Sequence, residues 1–524
     1  MLRSLIRLPS AALAIAALWA GAPGPGPTAQ TGAVDACWEE APTDLDGGGP
    51  DIAIGYPSYD LPGARDAGAI VLHSDLAAPG SSTPHAPRSR IVLTAASFGL
   101  PVEAGARFGA AVVTVPDDAL HVDDDDCSDL LVGAPGAAVG SAAGAGRVHL
   151  LTGGPGAMSA APVESYDGDT LPEVGGAQAG AGFGSALAVS GGVLAIGEPR
   201  RDAGSVVDAG RVVRVDGQGP GPEPVVTAFT QGGGTEPGDR FGEVLDAFPT
   251  GLGALILVGV PREDVGARTD AGAVALIAPD DVVNLVTQNS PGTAGAAESG
   301  DRFGASIDAF ATFTSHPVVR VAIGVPGEDV GDLRDAGLVG WAVIDLFDSP
   351  RGVSLIQGTG VALTQRSPGV AGTPEAGDRF GEAVVTGEYG TDGGRRHLVV
   401  GAPTEDVGAV VASGSVALTR VAEDGAAMTG PSAAWTQDEP GTTGAAERGD
   451  RLGAALASVD LTRIIDDDHV TWQVVLATVP GEDIGAVPDV GAAYVGVPGS
   501  TPVLLLPPFS QPGAGAGMTP MHGW

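Results

Sequence analysis

A G-x-P tripeptide followed by an acidic loop and a G-x-V recurs six times along this chain with a degenerate seventh copy, and few folds accept a unit written seven times. The copies read IAIGYPSYDLPGARDAGAIVL, LLVGAPGAAVGSAAGAGRVHL, LAIGEPRRDAGSVVDAGRVV, ILVGVPREDVGARTDAGAVAL, VAIGVPGEDVGDLRDAGLVGW, LVVGAPTEDVGAVVASGSVAL and VLATVPGEDIGAVPDVGAAYV. Their prolines are Pro57, Pro135, Pro199, Pro261, Pro326, Pro403 and Pro480, spaced 62 to 78 residues apart. A motif copied at such a period is a piece of scaffold, because a reaction needs its residues once.

Each copy holds two short β-rich runs around a loop rich in Gly, Asp and Pro, the pattern of a hairpin. Upstream lies an F-G run such as RFGAAVVTV; downstream lies another run such as PVVTAFTQ, NLVTQ or VALTQ. Four strands per copy and seven copies predict an all-β chain: a seven-bladed β-propeller of four-stranded antiparallel blades over residues 30–524. Pro and Gly interrupt the windows where a long amphipathic helix would have to form. Val, Leu, Ile and Ala are expected to fill the space between blades. Phe108, Phe183, Phe241, Phe303 and Phe380, with Leu452 in the last copy, are expected to act as large wedges. PVLLLP at 502–507 reads as the last copy's fourth strand and AVDACW at 33–38 as the first copy's opening strand, so the two ends should meet in or beside one blade.

Charge narrows the partners. Acids outnumber bases 64 to 26, for a net charge of −38. That balance argues against nucleic acid and against insertion at an anionic membrane surface, both of which call for Lys and Arg. It suits divalent cations or basic partners. All of the basic residues are arginine, which with 84 Gly points to a GC-rich bacterial source. The first residues, MLRSLIRLPSAALAIAALWAGA, place Arg3 and Arg7 before an apolar run from Leu8 to Ala20 and then small residues. This is the layout of a secretory signal peptide over 1–29, cut after 22 or 29, with a retained anchor as the alternative. The mature chain is expected to be secreted, extracellular and monomeric.

The FG runs and GAP-like tripeptides together resemble the FG-GAP repeats of the integrin α-chain N-terminal propeller and its bacterial secreted relatives, over roughly residues 31–524. The resemblance implies cell adhesion or extracellular ligand binding, and Ca²⁺ held in some blades by a D-x-[DN]-x-D-G-x-x-D loop. The family's last Asp falls six residues before the G-x-P proline. In the second copy that is Asp129, with Asp125, Asp123 and His121 on the alternating positions; His121 replaces the first Asp and Asp126 the turn glycine. In the first copy Asp51 holds the last position, and Asp44 and Asp46 stand one residue out of register, so a shifted loop is required. The other five copies carry Val193, Leu255, Arg320, His397 and Val474 there, and no ion is expected in them. Cys37 and Cys127, the only cysteines, lie in equivalent loops of adjacent blades and are expected to form a disulfide.

GDRFG at 238–242, 300–304 and 377–381, and GDRLG at 449–453, reads as a ring of arginines pairing with the acidic EDVG loops. G-x-S-x-G, H-E-x-x-H, Walker and C-x-x-C motifs do not occur, and the eight histidines show no metal-ligand spacing. No catalytic residue is therefore assigned. The reading is a binding module for an extracellular protein or glycan; the alternative is a secreted hydrolase or lyase with its site at the propeller axis. Aspartate, histidine and tyrosine gathered at the axis would favour the enzyme.

Overall fold

The computed structural model describes Cys37 and, with short interruptions of which 116–126 is the longest, residues 43–521. Residues Asp35–Trp524 form one compact unit. In it the seven copies are seven antiparallel sheets forming a propeller ring. The second blade shows the pattern, running in chain order through Ala111–Val115, Asp129–Ala134, Arg147–Leu151 and Pro162–Tyr166. First strands line the centre: Val244–Thr250 of the fourth blade lies against Leu187–Ser190 of the third and Ser306–Thr312 of the fifth. In the fifth blade the outer edge is broken, with Ser354–Leu355 and Ala362–Leu363 both pairing with Leu338–Asp345. Helix is confined, among the described residues, to the 3-10 helix Ala95–Phe98 and a 3-10 residue at Val174.

All seven repeat prolines fall at one structural position, directly after the second strand of their blade. Pro has no N–H to give a ladder, so it stops the strand there. A small hairpin follows each, closed by backbone pairs such as Leu61–Ala64, Val265–Arg268 and Ile484–Val487. The loop is fastened by an aspartate. Asp264 Oδ1 accepts the Asp270 N–H at 2.9 Å, and Asp329 does the same for Asp335 at 3.0 Å. Asp270 and Asp335 sit at φ of 51° and 50°, a left-handed turn that Asp tolerates better than most residues.

Blade-to-blade packing explains the small residues. A Cβ on Gly133 of the second blade would stand 2.1 Å from the Gly184 carbonyl oxygen of the third, so only glycine fits. The same contact recurs between Gly259 and Gly304. Phe108, Phe183, Phe241, Phe303, Phe380 and Leu452 are all buried, as the wedge reading requires. Each ring removed from water contributes about 1.5–3 kcal/mol. The backbone N–H of each is tied to the blade before it, as Phe303 is to Ala271 at 2.9 Å.

Closure differs from the sequence reading. Val503–Leu505, inside PVLLLP, is the fourth strand of the seventh blade as expected. The first blade's inner strand, however, is Thr519–Pro520, which pairs with Ile54 and Gly55. Cys37, the one described residue of AVDACW, lies outside any strand. The ends do meet in one blade, but the C-terminal segment supplies the strand. The leader boundaries at 22 and 29 lie outside the described residues. No described helix is long and apolar enough to cross a membrane.

Candidate metal centre

The loop before the first blade's strand Ile52–Tyr56 folds back on itself and gathers Asp44, Asp46 and Asp51, each offering a carboxylate oxygen, within 4.8 Å of one another. Backbone geometry makes this possible: Asp51 N–H donates to Thr43 O at 2.9 Å, closing the loop at its base. Asp51 Oδ2 accepts the Leu45 N–H at 2.9 Å and its Oδ1 the Asp75 N–H at 3.0 Å. Asp44 Oδ1 accepts the Gly47 N–H at 2.7 Å, and Gly47 takes the φ of 81° that this turn requires. Asp44 and Asp51 are buried, and Asp46 is half-buried. Burial raises Asp44 to about 6 and Asp51 well above the usual carboxylate range, with the neighbouring Asp46 charge pushing the same way. Three converging carboxyls, two of them raised chiefly by burial, are suited to a hard cation that takes oxygen ligands.

This loop also leans on the second blade. Ser128 N–H donates to Asp44 O at 2.9 Å, and Gly154 N–H donates to Leu45 O at 3.1 Å. Beside these contacts Cys37 and Cys127 form the expected disulfide, with Cα atoms 4.8 Å apart. Asp129, at the equivalent position of the second copy, is buried, and its Oδ1 accepts the Gly153 N–H at 3.0 Å. Asp123 and Asp125 lie outside the described residues.

The GDRFG reading needs correction. Among the described residues Arg240 and Arg379 form ion pairs with Glu243 and Glu382, three residues on, at 3.5 and 3.8 Å, and not with the EDVG loops. They stand at φ of 54° and 57°, and the side chain packed near the EDVG loop is the aspartate before them. Sequence reasoning saw both motifs but assigned the contact to the larger and more obvious charge.

On the first strands of blades four, five and seven stand Asp246, Asp308 and Asp460; Asp246 lies near Asp308, and Tyr389, just beyond the sixth blade's first strand, lies near both Asp308 and Asp460. Asp308 accepts the Thr386 N–H at 2.9 Å and the Thr386 hydroxyl. Burial raises Asp308 and Asp460 to about 6; burial and then the Asp308 charge hold Asp246 well above the ordinary range. Arg396 pairs with Glu388 at 3.1 Å and lies 4.2 Å over the Phe310 ring.

No family model matches the chain, and no curated protein does. Among solved structures it is similar to an exo-beta-1,3-galactanase from Clostridium thermocellum, with 11% identity over 70% of this chain and 75% of that one, at a TM-score of 0.27. Likeness at that level says nothing about what this chain does.

Proposed function

We propose that this chain is a secreted, calcium-stabilised propeller of the FG-GAP kind that binds an extracellular protein or glycan. The observation that carries the reading is the convergence of Asp44, Asp46 and Asp51 in the loop that joins the first blade to the second. An ion there would neutralise buried carboxyls and hold the loop against Ser128 and the disulfide. Export is supported by the charged-then-apolar N-terminus and by the Cys37–Cys127 bond, which persists in oxidising compartments. The test compares melting in chelator and in 1 mM calcium for the wild type and Asp46→Ala. On a site with Kd of about 10 μM the wild type gains about 2.7 kcal/mol, and Asp46→Ala gains much less. An equal gain in both rejects this loop as the site; Asp125→Ala tests the second-blade loop in the same way. Capture of a protein or glycan from the surroundings of the source cell, lost on unfolding, tests the binding half.

A second reading, a hydrolase at the axis, is favoured by the raised carboxyls of Asp246 and Asp308 on adjacent inner strands. One protonated and one ionised carboxyl is the pairing that glycosidic cleavage uses. Turnover of polysaccharide by the wild type and its loss in Asp308→Asn would support it; absence of turnover across a substrate panel sinks it.

A further inference from the structure

Four of the seven blades carry the same buried trio, drawn from three separate segments. Gln231, Gln288, Gln365 and Gln437 close the fourth strand of one blade. Asp239, Asp301, Asp378 and Asp450 are the aspartates of GDRFG or GDRLG that open the next. Glu263, Glu328, Glu405 and Glu482 are the first acids of that blade's hairpin loop. Each glutamine Nε2 donates to its glutamate Oε2, at 2.5, 2.8, 2.7 and 2.6 Å in blades four to seven. Each aspartate Oδ2 accepts the N–H of the glutamate three residues before it, at 2.5 Å in all four.

Beyond those bonds each trio offers a second oxygen on the aspartate, a second on the glutamate, and the glutamine Oε1; in the sixth blade the Asp378 and Glu405 carboxyls also touch each other. All four glutamine oxygens are buried and without a hydrogen-bond partner, and their residues are 8%, 2%, 5% and 1% exposed. Each oxygen shares its amide carbon with the nitrogen that touches the glutamate, which keeps it close beside the acids. In the seventh blade Gln437 also reaches Asp450, whose own Oδ1 is buried and unpartnered. Leaving a buried polar oxygen unmet costs about 1–3 kcal/mol, so four repeated instances require a common explanation.

The other blades sharpen the pattern. In the second blade the three positions are Ala95, Ala106 and Ala137, all buried in one apolar cluster. The aspartate position is Ala181 in the third blade and Ala514 in the first, where the glutamate position holds Arg201 and Tyr59. The two acids are therefore present together or absent together, which shows that they serve one another and that the fold does not need either.

We propose that each of the four trios is a binding site for a divalent cation of the calcium class, held by one Asp, one Glu and one Gln oxygen with water completing its shell. Calcium takes 6–8 oxygen ligands and accepts amide oxygen as well as carboxylate. Burial raises the four aspartates to about 6 and the four glutamates to about 7, so a proton competes with the ion at neutral pH and binding is weak. These sites differ in sequence and in place from the aspartate loop of the first blade.

The test counts bound calcium by equilibrium dialysis at pH 7.5 on the full chain. The variant Gln365→Ala/Asp378→Ala/Glu405→Ala copies the second blade's alanines; it is expected to fold and to bind one ion fewer than wild type. Glu405→Gln, which keeps the shape and removes a charge, is expected to lose the same ion and covers a failure of the triple variant to fold. Asp46→Ala loses its ion independently, so a failed first-blade loop and failed trios give different counts. Unchanged stoichiometry in Glu405→Gln overturns the proposal and leaves the pair of acids holding a proton.

Discussion

Asp308 of the fifth blade accepts both the backbone N–H of Thr386, at 2.9 Å, and its hydroxyl, so a single carboxyl ties two inner strands across 78 residues of chain. Asp246 stands at the equivalent position of the fourth blade and faces Ala309 of the fifth in the same way. These carboxyls thus tie inner strands from blade to blade, beyond the backbone bonds at Phe303 and its equivalents.

Removing that lace should be costly. Asp308→Ala leaves the Thr386 N–H and hydroxyl without their acceptor and is expected to destabilise the fold by about 1–3 kcal/mol. Asp308→Asn keeps an acceptor and loses a charge that burial disfavours, so it should cost less than half as much. Urea unfolding of the two variants decides; equal losses would mean that the charge, and not the hydrogen bonds, holds the strands.

The same carboxyls set a pH dependence. Asp308 and Asp460 lie at about 6 in the fold and Asp246 is held well above the ordinary range, all raised by burial above the value of about 3.9 for a free aspartate. The folded form therefore binds protons more tightly than the unfolded chain. The resulting stability is complete below about pH 4 and is lost as pH rises through 6 and beyond. Tm measured in chelator is expected to rise by a few degrees from pH 8 to pH 5.5, with a smaller rise in the double variant Asp246→Asn/Asp308→Asn. A flat profile in the wild type would count against these groups.

Two glycines separate close approach from turn geometry. Gly133→Ala drives a methyl into the Gly184 carbonyl across the blade interface and should cost about 3 kcal/mol or more. Gly140→Ala meets nothing within 4 Å but sits at φ of 57°, so only the left-handed strain of about 1–2 kcal/mol is expected. Thermal unfolding in parallel should rank them in that order.

Breaking the disulfide removes a cross-link that spans 90 residues. Cys37→Ser/Cys127→Ser should lose up to about 4–5 kcal/mol in the chain-entropy picture. Calcium stabilisation should weaken with it, because the acidic loop leans on Ser128 next to Cys127. A variant that melts like the wild type would show that the loop docks without the bond.

What could be read from the sequence follows physical range. Seven prolines, six FG or LG wedges and the Gly-rich contacts each act within a few residues of where they are written, so the blades were legible copy by copy. Thr519–Pro520 was not, since two residues in a Gly- and Ala-rich stretch carry no strand period. The Gln–Glu–Asp trios were hidden differently. Gln365 and Asp378 are 13 residues apart and Glu405 lies 27 further on, and only the ring brings the three together. The repeated T-Q ending of the fourth strands was the available signal, and it read as an ordinary strand end.

The C-terminal origin of the first blade's inner strand has a consequence for how the molecule is born. Six blades can assemble as they are synthesised, each docking on its predecessor, yet the first stays one strand short until residue 520 has been made. Until then Ile54 and Gly55 present a bare edge that any passing extended chain could pair with. A newly made molecule is therefore most vulnerable to mispairing at its oldest end, and a nick or premature stop within the last few residues would leave an otherwise finished ring permanently unlatched.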